Sequence, residues 1–415
     1  MKKTALILIC LTASVACMGR HQIKSPNVKS LEVMVNTDWQ KGAVPVMELG
    51  TDDVLTVSFD ELSHNYHRFT YRVDHCEPDW SLTEGLFESD WLEGFNDLPI
   101  DNYANSINTN VLYTHYSFQI PNEQMQLKMS GNYRLTVIDD CHDQQEVLTV
   151  ELRVVEPLMN VGMSITTNTD VDLNDRYQQV AMTVNFNSVR VTNLQEQIQT
   201  FVMQNGREDN MRSNVAPTAV TPLALRWEHC RSLIFEGGSE YHKFEVLDPS
   251  HISMGLAYVM WDQEQRRFHA FPFVCQEQHN YIYDQDANGA FILRNSDNYE
   301  PEYTSEYVYV HYKLLSPRKY DHATVFIDGA WTTEARENYV MDYDEEEQAY
   351  NAVILQKLGY YNYQLLMSDL DGQTHRVPQE GCFFQTENSY QAFVYYRGTG
   401  ERTWRLVGYQ DVVFR

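Results

Sequence analysis

Short runs in which apolar and polar residues alternate, each closed by glycine, asparagine or aspartate, dominate this chain and leave it few folds. In "VLTVSFDEL" (54–62), Leu55, Val57 and Phe59 share one side. In "HRFTYRVDH" (67–75), Phe69, Tyr71 and Val73 face one way and Arg68, Thr70 and Arg72 the other. "NYRLTVID", "EYVYVHYKL" and "QAFVYYRG" repeat the two-residue period of a half-buried strand. Between the runs stand turn signals such as "SGNY", "EGGSE", "DLDG" and "RGTGE", whose residues tolerate the backbone of tight hairpins. The reading is all-β. At 415 residues the chain exceeds one hydrophobic core. It predicts about three immunoglobulin-like β-sandwich domains in tandem, over 17–156, 157–300 and 301–415. The boundaries fall near "VVEPLMN" (154–160) and "RNSDNYEPEY" (294–303). Residues 192–203 fit either a short helix or a strand with its connection.

The N-terminus reads as an address. Lys2 and Lys3 precede an apolar run from Thr4 to Ala13 and the small residues Ser14-Val15-Ala16, so residues 1–16 form an export signal peptide. No later segment reaches the roughly 20 apolar residues of a spanning helix. Cys17 stands where a bacterial lipoprotein is acylated, which makes it the lipidation candidate and membrane contact a matter of that anchor alone. Fifty-eight acidic against 31 basic residues give −27, and losing Lys2 and Lys3 with the signal makes it −29. Such a field repels phosphate backbones, so nucleic acid is excluded as a partner. Five cysteines follow Cys17, too few for a disulfide scaffold; Cys76–Cys141 and Cys230–Cys275 are the pairings that stay within one expected domain.

Candidate chemistry is sparse. "YRVDHCEPDW" (71–80) gathers Tyr71, His75, Cys76 and Trp80. Alternation puts His75 on the Phe69/Tyr71/Val73 face, at the end of a strand that a proline turn closes. No second ligand pair accompanies His75 and Cys76, so the motif reads as structural, with Trp80 covering the first domain's core. "DQDANG" (284–289) resembles a calcium loop through its first five positions. Its twelfth position is Asn295 rather than a carboxylate, and a hairpin turn fits better. No catalytic, dinucleotide or phosphate-binding signature is present, and no metal or cofactor is expected. In "NTNVLYTHYSF", Asn108, Thr109, Tyr113, His115 and Tyr116 interleave polar and aromatic groups at strand spacing, and are expected to hold the first domain's geometry. Gly131, Asn132 and Tyr133 open the strand of "SGNYRLTV".

Nine segments run in order along nearly the whole mature chain: "YRVDHCEPDWS", "EGFNDLPIDNYANSINTNVLYTHYSFQIPN", "SGNYRLTV", "QNGREDN", "IFEGGSEYHKFE", "YDQDANGAFILRN", "EYVYVHYKL", "LGYYNYQLL" and "TENSYQAFVYYR". Together they resemble the plug protein family of the type 9 secretion system, a machine of Bacteroidota that exports folded cargo across the outer membrane. The chain departs from the family pattern at His242, where arginine follows the aromatic residue, and at Ser14, where a lipobox carries leucine. The resemblance implies a non-enzymatic periplasmic protein at the inner face of the outer membrane. Its partner would be the giant translocon β-barrel, whose periplasmic opening it closes. The competing classes are an outer-membrane-associated glycan-binding lipoprotein, suggested by 27 tyrosines, and a secreted hydrolase using two of the 58 carboxylates.

Overall fold

The computed structural model describes residues 20–141 and 144–415. The expected signal peptide and the lipidation candidate Cys17 lie outside the described residues. The regular structure described is predominantly antiparallel sheet, as the two-residue period requires. Among the described residues three main cores lie among sheets whose inward side chains come from that alternation, with a smaller cluster of Val155, Met203, Phe393, Tyr395, Trp404 and Leu406 beside them.

The first core uses Val28–Val35, Leu55–Glu61, Thr114–Ile120 and Asn102–Asn105 in one sheet. Opposite stand Gln145–Val155, Gly131–Asp139 and Phe69–Cys76 with shorter strands at the edges. Leu55, Val57 and Phe59 are fully buried, and so are Phe69, Tyr71 and Val73. Asp60, on the opposite face of the Leu55–Glu61 strand, is buried too, because other parts of the chain cover that end.

The second and third sandwiches depart from a tandem order. The second core mixes Val180, Met182 and Trp227 with Tyr390, Ala392, Val394 and Val407. Its strand Ile198–Gln204 pairs antiparallel with Asn388–Tyr396, which in turn pairs with Arg405–Phe414. The third core runs from Phe244 to Val377. It crosses the expected boundary at 300 without a break, and the strand Tyr307–Leu315 lies beside Arg267–Pro272 in one sheet. The third sandwich is therefore inserted into the second, and the division at 300 is corrected. Proline and polar residues at 294–303 mark a loop plus one turn of helix, Pro301–Thr304, inside a domain. Residues 192–203 hold both expected elements, a short helix Leu194–Gln197 leading directly into Ile198–Gln204.

The expected disulfides are not formed, since Cys76, Cys141, Cys230, Cys275 and Cys382 are free. Cys76 pairs in register with Asn132, whereas Cys141 follows Asp139, which pairs with Phe69. At 3.4 Å per residue that separation is about 25 Å, far beyond a disulfide's reach. Cys230 and Cys275 belong to different cores. The "DQDANG" segment is no hairpin either. The Asp284 carboxylate accepts from Lys243 Nζ (2.6 Å), and Asp286 accepts the Tyr241 and Asn288 backbone N–H groups, so the acidic side chains brace an irregular loop.

Candidate functional site

The residues singled out above sort into three groups, and two of them sit where sandwiches meet. The first group is internal. Tyr71 stacks on Phe118 and its hydroxyl accepts from Asn122 Nδ2 (2.7 Å). His75 and Cys76 are the last residues of the strand Phe69–Cys76. Both His75 nitrogens are engaged, Nδ1 with Thr83 Oγ1 (2.8 Å) and Nε2 with the Ser130 carbonyl (3.5 Å). Burial lowers the His75 pKa to about 4 and pushes the Cys76 thiol up to about 12, so both are neutral. Gly131 lies against the same imidazole: its φ is +147°, and a Cβ there would stand 2.5 Å from His75 Nε2. Tyr133 donates to the Met129 carbonyl (2.6 Å), and Tyr116 to the His67 carbonyl (3.2 Å).

The second group joins the first sandwich to the second. Trp80 does not cover the first core. It packs on the Arg153 guanidinium, whose carbon lies 4.8 Å from the Trp80 ring and 4.8 Å from the Phe393 ring. Arg153 also donates to Glu208 (2.9 Å), and Asn132 Oδ1 accepts from Tyr395 OH (2.6 Å). The turn after Cys76 re-aims the indole towards the C-terminal strands, which a local reading cannot see. Beside Arg153 lies Glu151, with Oε2 buried and unpartnered. Burial, reinforced by Glu208, raises its pKa to about 8. On the same strand, the Glu151 N–H donates to His21 Nδ1 (3.2 Å) while His21 Nε2 meets the Gly42 carbonyl (2.7 Å); burial lowers this histidine to about 4.

These shifts set a pH dependence. A carboxyl raised in the folded state keeps its proton above the unfolded value of 4.5, so stability falls as pH rises from there to the folded pKa. A histidine lowered to about 4 acts oppositely, adding stability as pH rises to 6.5. Above pH 6.5 the lowered histidines add nothing further, and the raised groups, Glu151 and His242 among them, all lose stability as pH rises, each at up to ~1.4 kcal/mol per pH unit. Thermal melts should show Tm falling between pH 6.5 and 8, and Glu151→Gln should flatten the fall. An unchanged slope in that variant would assign the effect elsewhere.

The third group joins the first sandwich to the third, around a buried ionic cluster. Asp60 Oδ1 bonds His115 Nδ1 (2.7 Å), and its Oδ2 accepts from Tyr307 OH (2.7 Å) and Lys357 Nζ (2.6 Å). Asp60 and Lys357 are both 0 % exposed. Lys357 Nζ also donates to the Glu302 carbonyl (2.5 Å) and lies 4.2 Å from the Tyr113 ring centre, while Tyr113 OH donates to the Ser305 carbonyl (2.8 Å). Burial alone would raise the Asp60 carboxyl, but Lys357 and His115 outweigh it and hold it below the usual range. Nearby, burial pushes Glu32 up to about 7 despite the Leu293 N–H. The loop with Asn108 (φ 59°) and Thr109 leads to Asn110 and Val111, whose N–H groups bond the Glu306 carboxylate (2.5 and 3.1 Å). Tyr113 thus joins the first sandwich to the third, whereas His115 bonds Asp60 within the first. Asp60, Tyr307, Lys357 and Arg153 carry these joints and went unmarked in the sequence, where each stands on an alternating strand like any solvent-facing polar residue.

His242 fills a comparable place inside the third sandwich. Its Nε2 lies 3.1 Å from both oxygens of buried Glu380. Burial lowers its pKa, but Cys275 and Glu380 outweigh that and hold it well above the ordinary 6.5, so it supplies the cation to that carboxylate.

The Tyr307–Leu315 strand carries the joint at one end and an open surface along the rest. Tyr307 pairs with Lys357, Tyr309 with Leu355 and His311 with Val353, all on one face. The face continues outward through His269 and Phe271 to Met260 and Tyr258. Tyr258 stacks on Phe271 (4.1 Å) and Phe271 on His311 (4.3 Å), while His269 Nδ1 and His311 Nε2 lie 2.8 Å apart. Burial, with His269 beside it, lowers the His311 pKa to about 4, so the His311 ring stays uncharged at neutral pH. Tyr258 and Met260 remain nearly half exposed. Exposed aromatics and methionine on a rigid sheet are the composition of a protein-docking surface. No described helix is long and apolar enough to cross a membrane.

Comparison with known proteins gives two findings. The model of the family described as type 9 secretion system plug protein, 1st domain, matches residues 28–156, the first sandwich. The crystal structure of a hypothetical protein from Parabacteroides merdae ATCC 43184 is similar over 95 % of this chain and 99 % of its own, at 31 % identity and a TM-score of 0.90. A search of curated proteins finds no match.

Proposed function

This chain belongs to the type 9 secretion system plug family, and from that premise we propose that it is a non-enzymatic periplasmic plug. In this reading it seats on the periplasmic opening of the outer-membrane translocon barrel, closes the pore when no cargo is engaged, and comes away when cargo arrives. The family match over the first sandwich carries the proposal. Three features support it. Residues 1–16 carry the pattern of an export signal, Lys2 and Lys3 before an apolar run and small residues. The joints Asp60–Lys357 and Trp80–Arg153–Phe393 tie the sandwiches together, as a stopper that must not deform requires. The open aromatic face offers a contact that is broken without unfolding.

Deleting the protein should leave the envelope leaky to large solutes such as vancomycin, and returning the exported chain should restore the seal. Unchanged permeability, with no barrel recovered by crosslinking, would overturn the proposal. Glycan binding is the second reading, favoured by the Tyr258–Phe271–His311 row alone. Retardation of the protein on a polysaccharide affinity gel, lost on Tyr258→Ala, would favour it.

A further inference from the structure

The sheet that carries the aromatic row ends on one side at the strand Leu256–Asp262, "LAYVMWD", which has a neighbour on one edge only. Among the described residues, no backbone group from Ala257 to Trp261 bonds anything but the adjacent strand Arg267–Pro272. Natural edge strands are usually protected by proline, lysine, a bulge or a covering loop. This one contains no proline and no cation, and its single charge, Asp262, stands at its end. The one register irregularity falls between Leu256 and Tyr258, so Tyr258–Asp262 runs regular and open. Its side chains are apolar on both faces: Tyr258 and Met260 on the outer face, Val259 and Trp261 on the other. Trp261 packs on Phe268 yet stays 41 % exposed. Another edge strand of equal length, Asn160–Thr166, shows the usual arrangement, exposing Asn160, Gly162, Ser164 and Thr166.

We infer that Tyr258–Asp262 is a strand-accepting edge, which takes an extended segment of a partner protein as a sixth strand of this sheet. The unpaired N–H and C=O groups of an edge are satisfied by another extended backbone and by little else, which names the occupant's conformation. Apolar side chains above and below the vacant position name its chemistry, a segment with apolar or aromatic residues on both faces. The outer face is also continuous with an existing interface, since Tyr307 and Lys357 on that face already lie against the first sandwich. An added strand would extend that covered surface past Tyr309 and His311. The inference rests on the plug reading, which supplies the translocon barrel as the partner.

The test compares hydrogen exchange of the full protein alone and bound to the detergent-solubilised translocon barrel. Amides within Tyr258–Asp262 should slow at least tenfold in the complex, while those of Asn160–Thr166 stay unchanged. A Tyr258→Lys, Met260→Lys double variant changes exposed side chains, so it should keep the wild-type Tm and lose at least tenfold in barrel affinity. Barrel binding without protection of this edge, or full affinity in the double variant, overturns the inference and leaves the plug reading standing. Wild-type protein that retains no barrel overturns both.

Discussion

Lys357→Met should destabilise the protein by about 3–5 kcal/mol, the usual result of removing one partner from a buried ion pair. The methylenes of the lysine are replaced nearly in kind, so little of this effect is packing. It arises because Asp60, with no exposed surface, keeps His115 and Tyr307 but loses its cation. Tyr113 loses the ammonium over its ring as well, and Glu302 loses a donor to its carbonyl. Asp60→Asn alone should be costly for the mirror reason, an ammonium left in the interior. The double variant Asp60→Asn, Lys357→Met should recover most of the loss, because no charge then remains unpaired. Chemical denaturation of the four proteins measures the coupling directly. Additive effects would mean that the pair is hydrated in solution and that the joint rests on its tyrosines.

Removing residues 388–415 should unfold the second sandwich while sparing the third. The deletion takes away two strands of a four-stranded sheet and leaves Ile198–Gln204 without its Asn388–Tyr396 partner. It also strips Tyr390, Ala392, Val394 and Val407 from the core around Trp227. Burying four such side chains is worth several kcal/mol, at about 1.5–3 kcal/mol for each large one. A domain holds only ~5–15 kcal/mol in total. Limited proteolysis read by mass spectrometry should therefore show new cleavage between residues 160 and 236. The 242–377 segment, whose core is its own, should stay resistant. A tandem order would put the damage between 301 and 387 instead, so the two architectures predict different fragments.

Both results concern features that adjacent residues do not announce. The strand Leu55–Glu61 was legible because its alternation is local: Leu55, Val57 and Phe59 are two apart and must share a face. The same rule puts Asp60 on the opposite face, which a local reading would leave to solvent. Its cation lies 297 positions away at the end of Ala349–Lys357. Nothing near Lys357 distinguishes it from a lysine that closes an exposed strand. Trp80 was legible as a large buried side chain, but its partner Phe393 was not, since the turn after Cys76 decides where the indole points. The Cys230–Cys275 pairing failed for the same reason as the boundary at 300, because both assumed that neighbours in sequence share a core.

What this sequence determined by itself is the all-β class, the faces of its strands, the scarcity of long helix-period segments and, through motif order, its family. Each of these depends on interactions between residues a few positions apart or on patterns of composition. The tertiary structure alone decided that the third sandwich is inserted in the second, that Asp60 meets Lys357, and that Tyr258–Asp262 is left as an open edge. Those outcomes depend on which strand lies next to which. A two-residue period specifies the face a side chain takes and carries no information about the neighbour it meets.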